Sequence, residues 1–214
     1  MAEMNLKELS DFLRAELEEH LQAVRKVADM IEAMEKPQVM SELPQVRYRS
    51  QWDADATYVK SDCGPACLAM LLEFRSIHVS IDDISKACGM GPNKKHSTTA
   101  DLIGVAKKFA LALEAVSGWT LEQFAARTPC IVLVHYGTFQ DRLDQGYIGS
   151  HWVVLLGVRD NTVVFHDPDW WEPRRLEGAS RHVDTVRFAL AMHDCIRDGN
   201  SSGTGLVMSG TSHL

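Results

Sequence analysis

The chain has 214 residues, of which 45% are hydrophobic and 24% charged, a composition that suits one sizeable core. Its net charge of −7 argues against nucleic acid as the main partner, because binding phosphates requires a basic surface. No apolar run of about 18 residues suggests a membrane span, and the charged N-terminus does not resemble a signal peptide, so we expect a cytoplasmic protein.

Residues 1–36 predict one long amphipathic helix. Asn5 is a suitable N-cap, with Glu8 three positions later as its capping-box partner. Apolar residues recur every three or four positions from Leu6 to Ile31, which forms one apolar stripe. Pro37 ends the pattern. We expect this helix to pack on the rest of the chain or to mediate self-association.

The remaining chain predicts a linker with a short lead-in strand, VRYRS, at 37–50 and a catalytic domain at 51–214. Helices are predicted at 63–75, 80–88 and 98–111, with a further short helix capped by Thr120. Apolar strands follow at CIVLVHY, HWVVLLGV and TVVFHDP, and a last strand is predicted in the tail. This order indicates an α+β fold, with a helical first half packed on an antiparallel sheet.

A hairpin that turns at 159–161 brings His151 near Asp167. If residue 158 pairs with residue 162, paired positions sum to 320, and His151 lies diagonally across from Asp167 on one face. A carboxylate in that position can orient the imidazole and fix its tautomer. Asp169 has the same parity and is the rival partner, but Asp167 is preferred because Pro168 ends the strand there.

The run Asp62-Cys63-Gly64-Pro65 precedes a helical pattern, which places Cys63 at a helix N-terminus. The positive end of the helix favours a thiolate, the nucleophilic form. Asp62 is interpreted as the helix cap. Gly64 would let substrate backbone approach closely. A buried core thiol is the alternative interpretation of Cys63.

The other candidate residues are less specific. Gln51, on the loop before the nucleophile helix, is a candidate donor to the oxyanion. Trp152 is a candidate for a substrate groove, with simple packing an equal alternative. Asp53 and Asp55 are a weak signal for a calcium ion. The five cysteines are odd in number and widely spaced, so neither a disulfide framework nor a zinc site is predicted. No cofactor is predicted.

The set Gln51, Asp62-Cys63-Gly64-Pro65-Ala66, His151-Trp152 and Asp167-Pro168 resembles the C39-like branch of papain-like cysteine peptidases. The resemblance covers about residues 44 to 208 and implies a papain-like fold. It also implies that Cys63 is the nucleophile, His151 the general base, Asp167 the orienting acid and Gln51 the oxyanion donor. The N-terminal helix is an addition to that pattern.

Three functions remain open at this point. The first is a thiol-dependent hydrolase, a cysteine peptidase that cleaves peptide or isopeptide bonds through a Cys63 thioester. The second is an amidase or acyltransferase with the same Cys-His-Asp chemistry. The third is a non-catalytic papain-like binding or scaffold protein. The expected partner in the first case is a peptide or peptide-like substrate.

Overall fold

The structure is a computed structural model that describes residues 42–139 and 148–210, together with Lys7, Arg14, Glu18 and Leu21. The chain divides into two compact units, Met1–Ser41 and Glu42–Leu214. The long helix predicted at 1–36 lies outside the described residues apart from those four positions, which are helical. Among the described residues, no helix is both long and apolar enough to cross a membrane.

Five α-helices are described in the second unit, and the first four confirm the predicted ones. They are α1 (Cys63–Phe74), α2 (Ile81–Ala87), α3 (Thr99–Lys108), α4 (Leu121–Ala125) and α5 (Thr185–Asp194). Thr98 and Thr120 each form a capping box, in which the residue three positions later returns a hydrogen bond to the cap backbone. Reciprocal caps of this kind explain why these helix starts could be read from the sequence.

The sheet has six antiparallel strands in the order β1-β6-β2-β3-β4-β5. The strands are β1 (Leu113–Val116), β2 (Cys130–His135), β3 (Ser150–Arg159), β4 (Thr162–His166), β5 (Arg181–Asp184) and β6 (Gly205–Met208). The sequence predicted β2, β3, β4 and β6 but missed β1, β5 and α5. β1 and β5 have four residues each, and two of the four are exposed in β1, which leaves little apolar pattern to detect.

Helices cover both faces of the sheet. On one face, α1 packs on β3 and β2, and its buried leucines Leu68 and Leu72 belong to a core shared with α2 and α3. On the other face, α5 packs on β2, and Phe188 meets Phe165 and Phe139 in a cluster of aromatic rings. The α+β class is confirmed, and the central strands are buried because they are covered from both sides.

The β3–β4 hairpin reaches the predicted register at its open end by a different route. Its turn comprises Asp160 and Asn161, so Arg159 pairs with Thr162 and the pairs near the turn sum to 321 rather than 320. A β-bulge between Leu155 and Gly157 then shifts the ladder by one, and Val154 pairs with His166. At the open end, the pairing therefore follows the predicted sum of 320 that relates His151 to Asp167, although the turn was predicted one residue too long.

The predicted lead-in strand at 46–50 is an extended segment that forms no strand of the sheet in the described structure. Its polar groups bind the end of β4 instead. His166 Nε2 contacts the Val46 carbonyl oxygen at 2.9 Å, and the Tyr48 hydroxyl donates to the Asp167 carbonyl oxygen at 3.0 Å. The Gln51 N–H donates to the Pro168 carbonyl oxygen at 2.8 Å. These contacts fix Gln51 beside the residue predicted to orient His151.

Candidate active site

Cys63 is the first residue of α1, as predicted, and its side chain is half-buried, whereas the other four cysteines are buried. Pro65 lies in the first turn, where a missing N–H has no intrahelical partner to lose. This position gives Cys63 access to solvent beside the first turn of the helix, whose N–H groups have no intrahelical partner.

Asp62 precedes α1 but does not cap it with its side chain, so the predicted capping role is wrong. Its carboxylate instead accepts from the Tyr58 N–H at 2.8 Å and from the Ser85 hydroxyl at 2.6 Å. Burial raises the pKa of this carboxyl group. Asp62 therefore ties the 58–62 loop to α2 and directs its charge away from the helix end beside Cys63.

His151 joins Cys63 to Asp167. The imidazole Nε2 lies 2.9 Å from Asp167 Oδ1, and Cys63 is close enough to the same ring to help raise the pKa of the imidazole. Because Nε2 is engaged by the carboxylate, Nδ1 is the nitrogen left for the thiol. The Tyr136 ring packs on the imidazole with a centroid separation of 4.6 Å, which limits rotation of the ring.

The fully buried Asp167 carboxylate accepts hydrogen bonds at both oxygens. Oδ1 also receives the Asp169 N–H at 3.0 Å. Oδ2 receives Trp170 Nε1 at 3.0 Å, the Tyr136 hydroxyl at 3.3 Å and the guanidinium of Arg181 at 2.5 Å. Burial alone would raise the pKa of this carboxyl, but His151 and Arg181 outweigh it and hold the pKa well below its usual range.

The His151 imidazole has the opposite shift. Its complete burial opposes the charged form, but the hydrogen bonds to Asp167 and Cys63 dominate and raise its pKa to about 10. The protonated ring is therefore the favoured form when a carboxylate and a thiolate flank it. This is the charge arrangement of a thiolate–imidazolium pair.

Gln51 is buried beside these residues, with both amide hydrogens engaged. Its Nε2 donates to the Val59 carbonyl oxygen at 2.7 Å and to Asp169 Oδ1 at 3.0 Å, while its Oε1 has no hydrogen-bond partner. Trp52 Nε1 donates to the same Asp169 oxygen at 2.8 Å. Asp169, the rival partner for His151 in the sequence, thus binds the predicted oxyanion donor.

Gly64 and Trp152 lie next to one another beneath the site. A Cβ added at Gly64 would come 2.3 Å from Ser97 Oγ and 3.3 Å from the Trp152 ring, so a side chain here would collide with the protein itself. Trp152 is only 7% exposed. The described contacts give both residues a packing role, and their contact with substrate stays a prediction.

Four of the predicted site residues, together with Asp169, line one cavity of about 1090 Å³. The four are Gln51, Cys63, His151 and Trp152. From the thiol, the cavity extends past hydroxyl-bearing residues at the start of α3 and along the loop between α5 and β6. Its volume is at the upper end of that of ordinary ligand pockets. An extended peptide segment therefore has room beside Cys63.

The predicted calcium candidates bind arginines instead. Asp53 contacts Arg49 at 3.0 Å and Arg175 at 2.6 Å, and Asp55 contacts Arg49 at 2.6 Å. Carboxylates neutralised in this way are poor cation ligands, which argues against the weak calcium interpretation. Within the described ranges, no cluster of three histidine, cysteine or carboxylate side chains could hold a metal ion.

The other four thiols are unsuited to nucleophilic chemistry. Burial raises the pKa of Cys88 to about 11 and that of Cys195 to about 11, and it also raises the pKa of Cys67 and of Cys130. All five cysteines are free. Among them, only Cys63 combines partial exposure with a histidine partner.

Sequence reasoning missed three residues of the site: Tyr136, Asp169 in its contact with Gln51, and Arg181. Tyr136 follows β2, and Arg181 begins the short strand β5. The sequence offered no pattern for either, since each reaches Asp167 through sheet pairing rather than through a local motif. The position of Asp169 two residues after Asp167 was the one available signal.

Sequence comparison gives a consistent result. A profile of the Peptidase C39 family matches residues 56–178. The colicin V secretion/processing ATP-binding protein CvaB of Escherichia coli is 29% identical over 108 residues, which are 50% of this chain and 13% of that protein. The sublancin-168-processing and transport ATP-binding protein SunT of Bacillus subtilis is 28% identical over 112 residues, 50% of this chain and 14% of that protein. The matches thus span a small part of each relative's length.

Solved structures share the fold. A double glycine motif protease from an AMS/PCAT transporter, in complex with its leader peptide, has a TM-score of 0.52 and 20% identity, covering 79% of this chain and 95% of that one. A C39-like peptidase from Bacillus anthracis has a TM-score of 0.55 and 16% identity, covering 79% and 97%. The papain-like fold predicted from the sequence is confirmed. The family profile covers more than half of this chain, and the chain therefore belongs to the Peptidase C39 family, a family of cysteine peptidases.

Proposed function

We propose that Cys63, His151 and Asp167 are the catalytic residues of this peptidase. The single observation that supports this is that Cys63 and His151 line the same large cavity, where the His151 ring is held by Asp167 Oδ1 at 2.9 Å. The Cys63 thiolate attacks the scissile carbonyl carbon. His151 Nδ1 then gives its proton to the leaving amine, which departs and leaves a thioester. His151 next takes a proton from water, and the resulting hydroxide displaces the thiolate and releases the acid.

The oxyanion formed in each step needs donors that are already in place. The Cys63 backbone N–H, at the start of α1, is one candidate because first-turn N–H groups have no intrahelical partner. Gln51 is the second. Both of its amide hydrogens are bonded to Val59 and Asp169, so this role requires one of these contacts to be exchanged for the oxyanion. Its position on the cavity wall supports the assignment.

The proposed substrate is a peptide with small residues before the scissile bond. One structural neighbour is a double glycine motif protease that was solved with a leader peptide. In this chain, the buried Trp152 and the crowded Gly64–Ser97 contact leave no room for movement beneath the thiol. Glycine residues suit a rigid surface of this kind because, without a side chain, their backbone can approach it closely. We therefore propose a peptide with a Gly-Gly pair at the cleavage site.

The two units are proposed to have separate roles. The unit that carries Cys63 performs the chemistry, and the predicted helix at 1–36 mediates self-association through its apolar stripe. We also propose a cytoplasmic location. Five free cysteines support it, because oxidising compartments favour disulfide formation.

Hydrolysis of a model peptide tests the proposal. A peptide with Gly-Gly before a fluorescent amide is incubated with the wild-type protein, with Cys63→Ala and with Cys67→Ala, a matched thiol one helical turn away. We expect wild type and Cys67→Ala to release the fluorophore and Cys63→Ala to be inactive. Replacing Gly-Gly by Val-Val should slow release of the fluorophore about tenfold or more if the surface at Gly64 and Trp152 leaves no room for larger side chains.

Intact mass spectrometry separates the alternatives. A peptidase gives the free acid, whereas an acyltransferase gives an amide adduct when an amine such as glycinamide is added. If wild-type Cys63 shows neither turnover nor faster alkylation by iodoacetamide than the buried thiols, the protein is not a working thiol enzyme. The non-catalytic scaffold would then be the better explanation.

A further inference from the structure

Arg181 contacts the same carboxylate as His151. Its guanidinium binds Asp167 Oδ2 at 2.5 Å, while Oδ1 of the same carboxylate binds His151. The Arg181 side chain is only 9% exposed. It lies over the rings of Phe165, Trp170 and Phe139, with distances of 5.2 to 5.8 Å from its central carbon to the ring centroids. A cation packed among aromatic rings is held in one position.

We propose that Arg181 is a positioning residue that fixes the orientation and charge of Asp167 and so sets the pH range in which Cys63 and His151 form an ion pair. This inference rests on the proposed function of those residues. Arg181 binds one oxygen of the carboxylate whose other oxygen binds His151, so its charge acts on the pair from the other side of Asp167.

The electrostatic consequence has a definite sign. A fixed positive charge near the pair disfavours protonation of His151 and favours ionisation of Cys63, because it repels the imidazolium and attracts the thiolate. Arg181 therefore moves both titration steps of the pair to lower pH. The order of contacts, Arg181–Asp167–His151–Cys63, implies a larger effect on the histidine than on the thiol.

Other polar groups around the pair come from several elements. Tyr48 from the lead-in segment binds the Asp167 carbonyl oxygen, and Tyr136 after β2 binds Oδ2. Asp169 after β4 binds Oδ1 through its N–H and carries its charge on the Gln51 side. Arg181 from β5 is the cation that the described contacts place on the carboxylate. Its removal should therefore change the pH dependence directly.

The test compares Arg181→Gln, which removes the charge but keeps a donor, with Arg181→Lys, which keeps the charge. The matched control is Arg174→Met, because Arg174 also lies over Trp170 but is exposed and pairs with Glu177. The rate of Cys63 alkylation by iodoacetamide is measured from pH 4 to 10 by mass spectrometry. Isotope-labelled histidine gives the His151 titration by NMR.

For Arg181→Gln we expect the midpoint of Cys63 alkylation to rise by roughly 0.5 to 1 pH unit and the His151 titration to rise further. Arg181→Lys and Arg174→Met should stay near wild type. A purely structural role for Arg181 would lower the extent of labelling without moving either midpoint. Unmoved midpoints in folded Arg181→Gln would overturn the inference, while a wild-type Cys63 that is no more reactive than the buried thiols would instead overturn the proposed function.

A double-mutant cycle covers the case in which Arg181→Gln does not fold. Arg181→Gln is then introduced into Asp167→Asn, where no charged partner remains to be left unpaired. The double variant should be folded, and restoring arginine in that background should lower the alkylation midpoint of Cys63, because the charge of Arg181 still attracts the thiolate. An unfolded double variant, or a midpoint that arginine does not move, would contradict the inference.

Discussion

The second unit contains two charged clusters that differ in what they can do. The Asp167 cluster comprises Cys63, His151, Asp167 and Arg181. The Arg49 cluster comprises Arg49, Asp53, Asp55, Glu73 and Arg175. Both join arginines to carboxylates at hydrogen-bonding distance and are largely shielded from solvent.

Only the Asp167 cluster contains a thiol and an imidazole, the groups that carry out nucleophilic and acid–base chemistry, and both line the cavity. In the Arg49 cluster, burial opposes charge at Asp53, but the hydrogen bonds to Arg175 and Arg49 outweigh it and lower the pKa of the carboxyl. Asp53 therefore stays ionised over the working pH range. The comparison teaches that a buried ion network stabilises a fold, and that chemistry requires a member whose proton can move.

His151→Ala should give the largest effect. The variant loses the only described link between the thiol and the carboxylate, so peptide hydrolysis should fall by about 10³-fold or more. The assay is release of the fluorescent amide from the Gly-Gly peptide, with circular dichroism as the folding check. If the His151→Ala variant is folded and still hydrolyses the peptide at the wild-type rate, the proposed mechanism is wrong.

Asp167→Asn should be the next largest. The asparagine keeps the shape of the side chain, but its amide nitrogen cannot accept the hydrogen bonds that one carboxylate oxygen receives, and it cannot stabilise the imidazolium as a carboxylate does. Hydrolysis should therefore fall by about 10²-fold or more, though by less than in His151→Ala. Steady-state kinetics should place the loss in kcat rather than in KM. An equal loss in both variants would mean that Asp167 is needed for folding of the site rather than for its charge.

Arg49→Met should affect stability rather than chemistry. It leaves Asp53, Asp55 and the 6% exposed Glu73 without this cation, which should cost about 2 to 4 kcal/mol in the free energy of unfolding. Urea denaturation measures the loss, and exposed Arg174→Met, worth less than about 1 kcal/mol, is the matched control. The pH midpoint of Cys63 alkylation should not move. A moved midpoint would show that the two clusters are electrostatically coupled.

The pH dependence of stability should separate the clusters further. The pKa of His151 is raised in the folded state, so its stabilising contribution is complete below its unfolded value of about 6.5 and is lost as pH rises toward about 10. The pKa values of Asp167 and Asp53 are lowered, so their contributions are present above about 3.9 and are lost in acid. Of the two clusters, the Asp167 cluster is therefore the one that loses stability at alkaline pH.

His151→Gln isolates that alkaline loss. The buried cysteines also destabilise the fold as pH rises, but they do so in both proteins. We expect the decrease in unfolding free energy between pH 7 and 10 to be smaller in the variant by about 1 kcal/mol or more. Parallel stability curves for the two proteins would contradict the raised pKa of His151.

The smallest effect is expected from deletion of residues 1–36, which belong to a different unit from both clusters. Alkylation of Cys63 should stay within about twofold of wild type, whereas the mass in light scattering should fall if the helix mediates self-association. The deletion must stop before 42, because Val46 and Tyr48 are buried in the second unit. A folded truncated chain that no longer labels at Cys63 would show that the helix helps to form the site.

The sequence was informative wherever a residue's role is expressed locally. Cys63 at a helix start, the caps Thr98 and Thr120, and the alternation along the hairpin all have signals within a few positions. The register of the hairpin was right at its open end for a reason that the sequence did not show, since a bulge offset the misplaced turn. The positions of helices and strands were therefore easier to predict than which residues pair between neighbouring strands.

The sequence failed where a role depends on distant partners. Asp62 has the residue type of a helix cap, but its carboxylate accepts hydrogen bonds from the Ser85 hydroxyl and the Tyr58 N–H instead of from the helix. Arg181 lies in a four-residue strand whose importance comes only from its position across from β4. Neither outcome follows from local spacing, because both depend on which elements the fold brings together.

The order of the contacts along the chain has a consequence for biogenesis. Cys63 is synthesised before His151, Asp167 and Arg181, which lie on later strands or directly after one. At about 5 to 20 residues per second, the roughly 90 residues between thiol and histidine take about 5 to 20 s to synthesise. During that interval, the nascent chain carries Cys63 without the histidine proposed as its base. Synthesis thus delays the assembly of the proposed catalytic residues until the later strands are made.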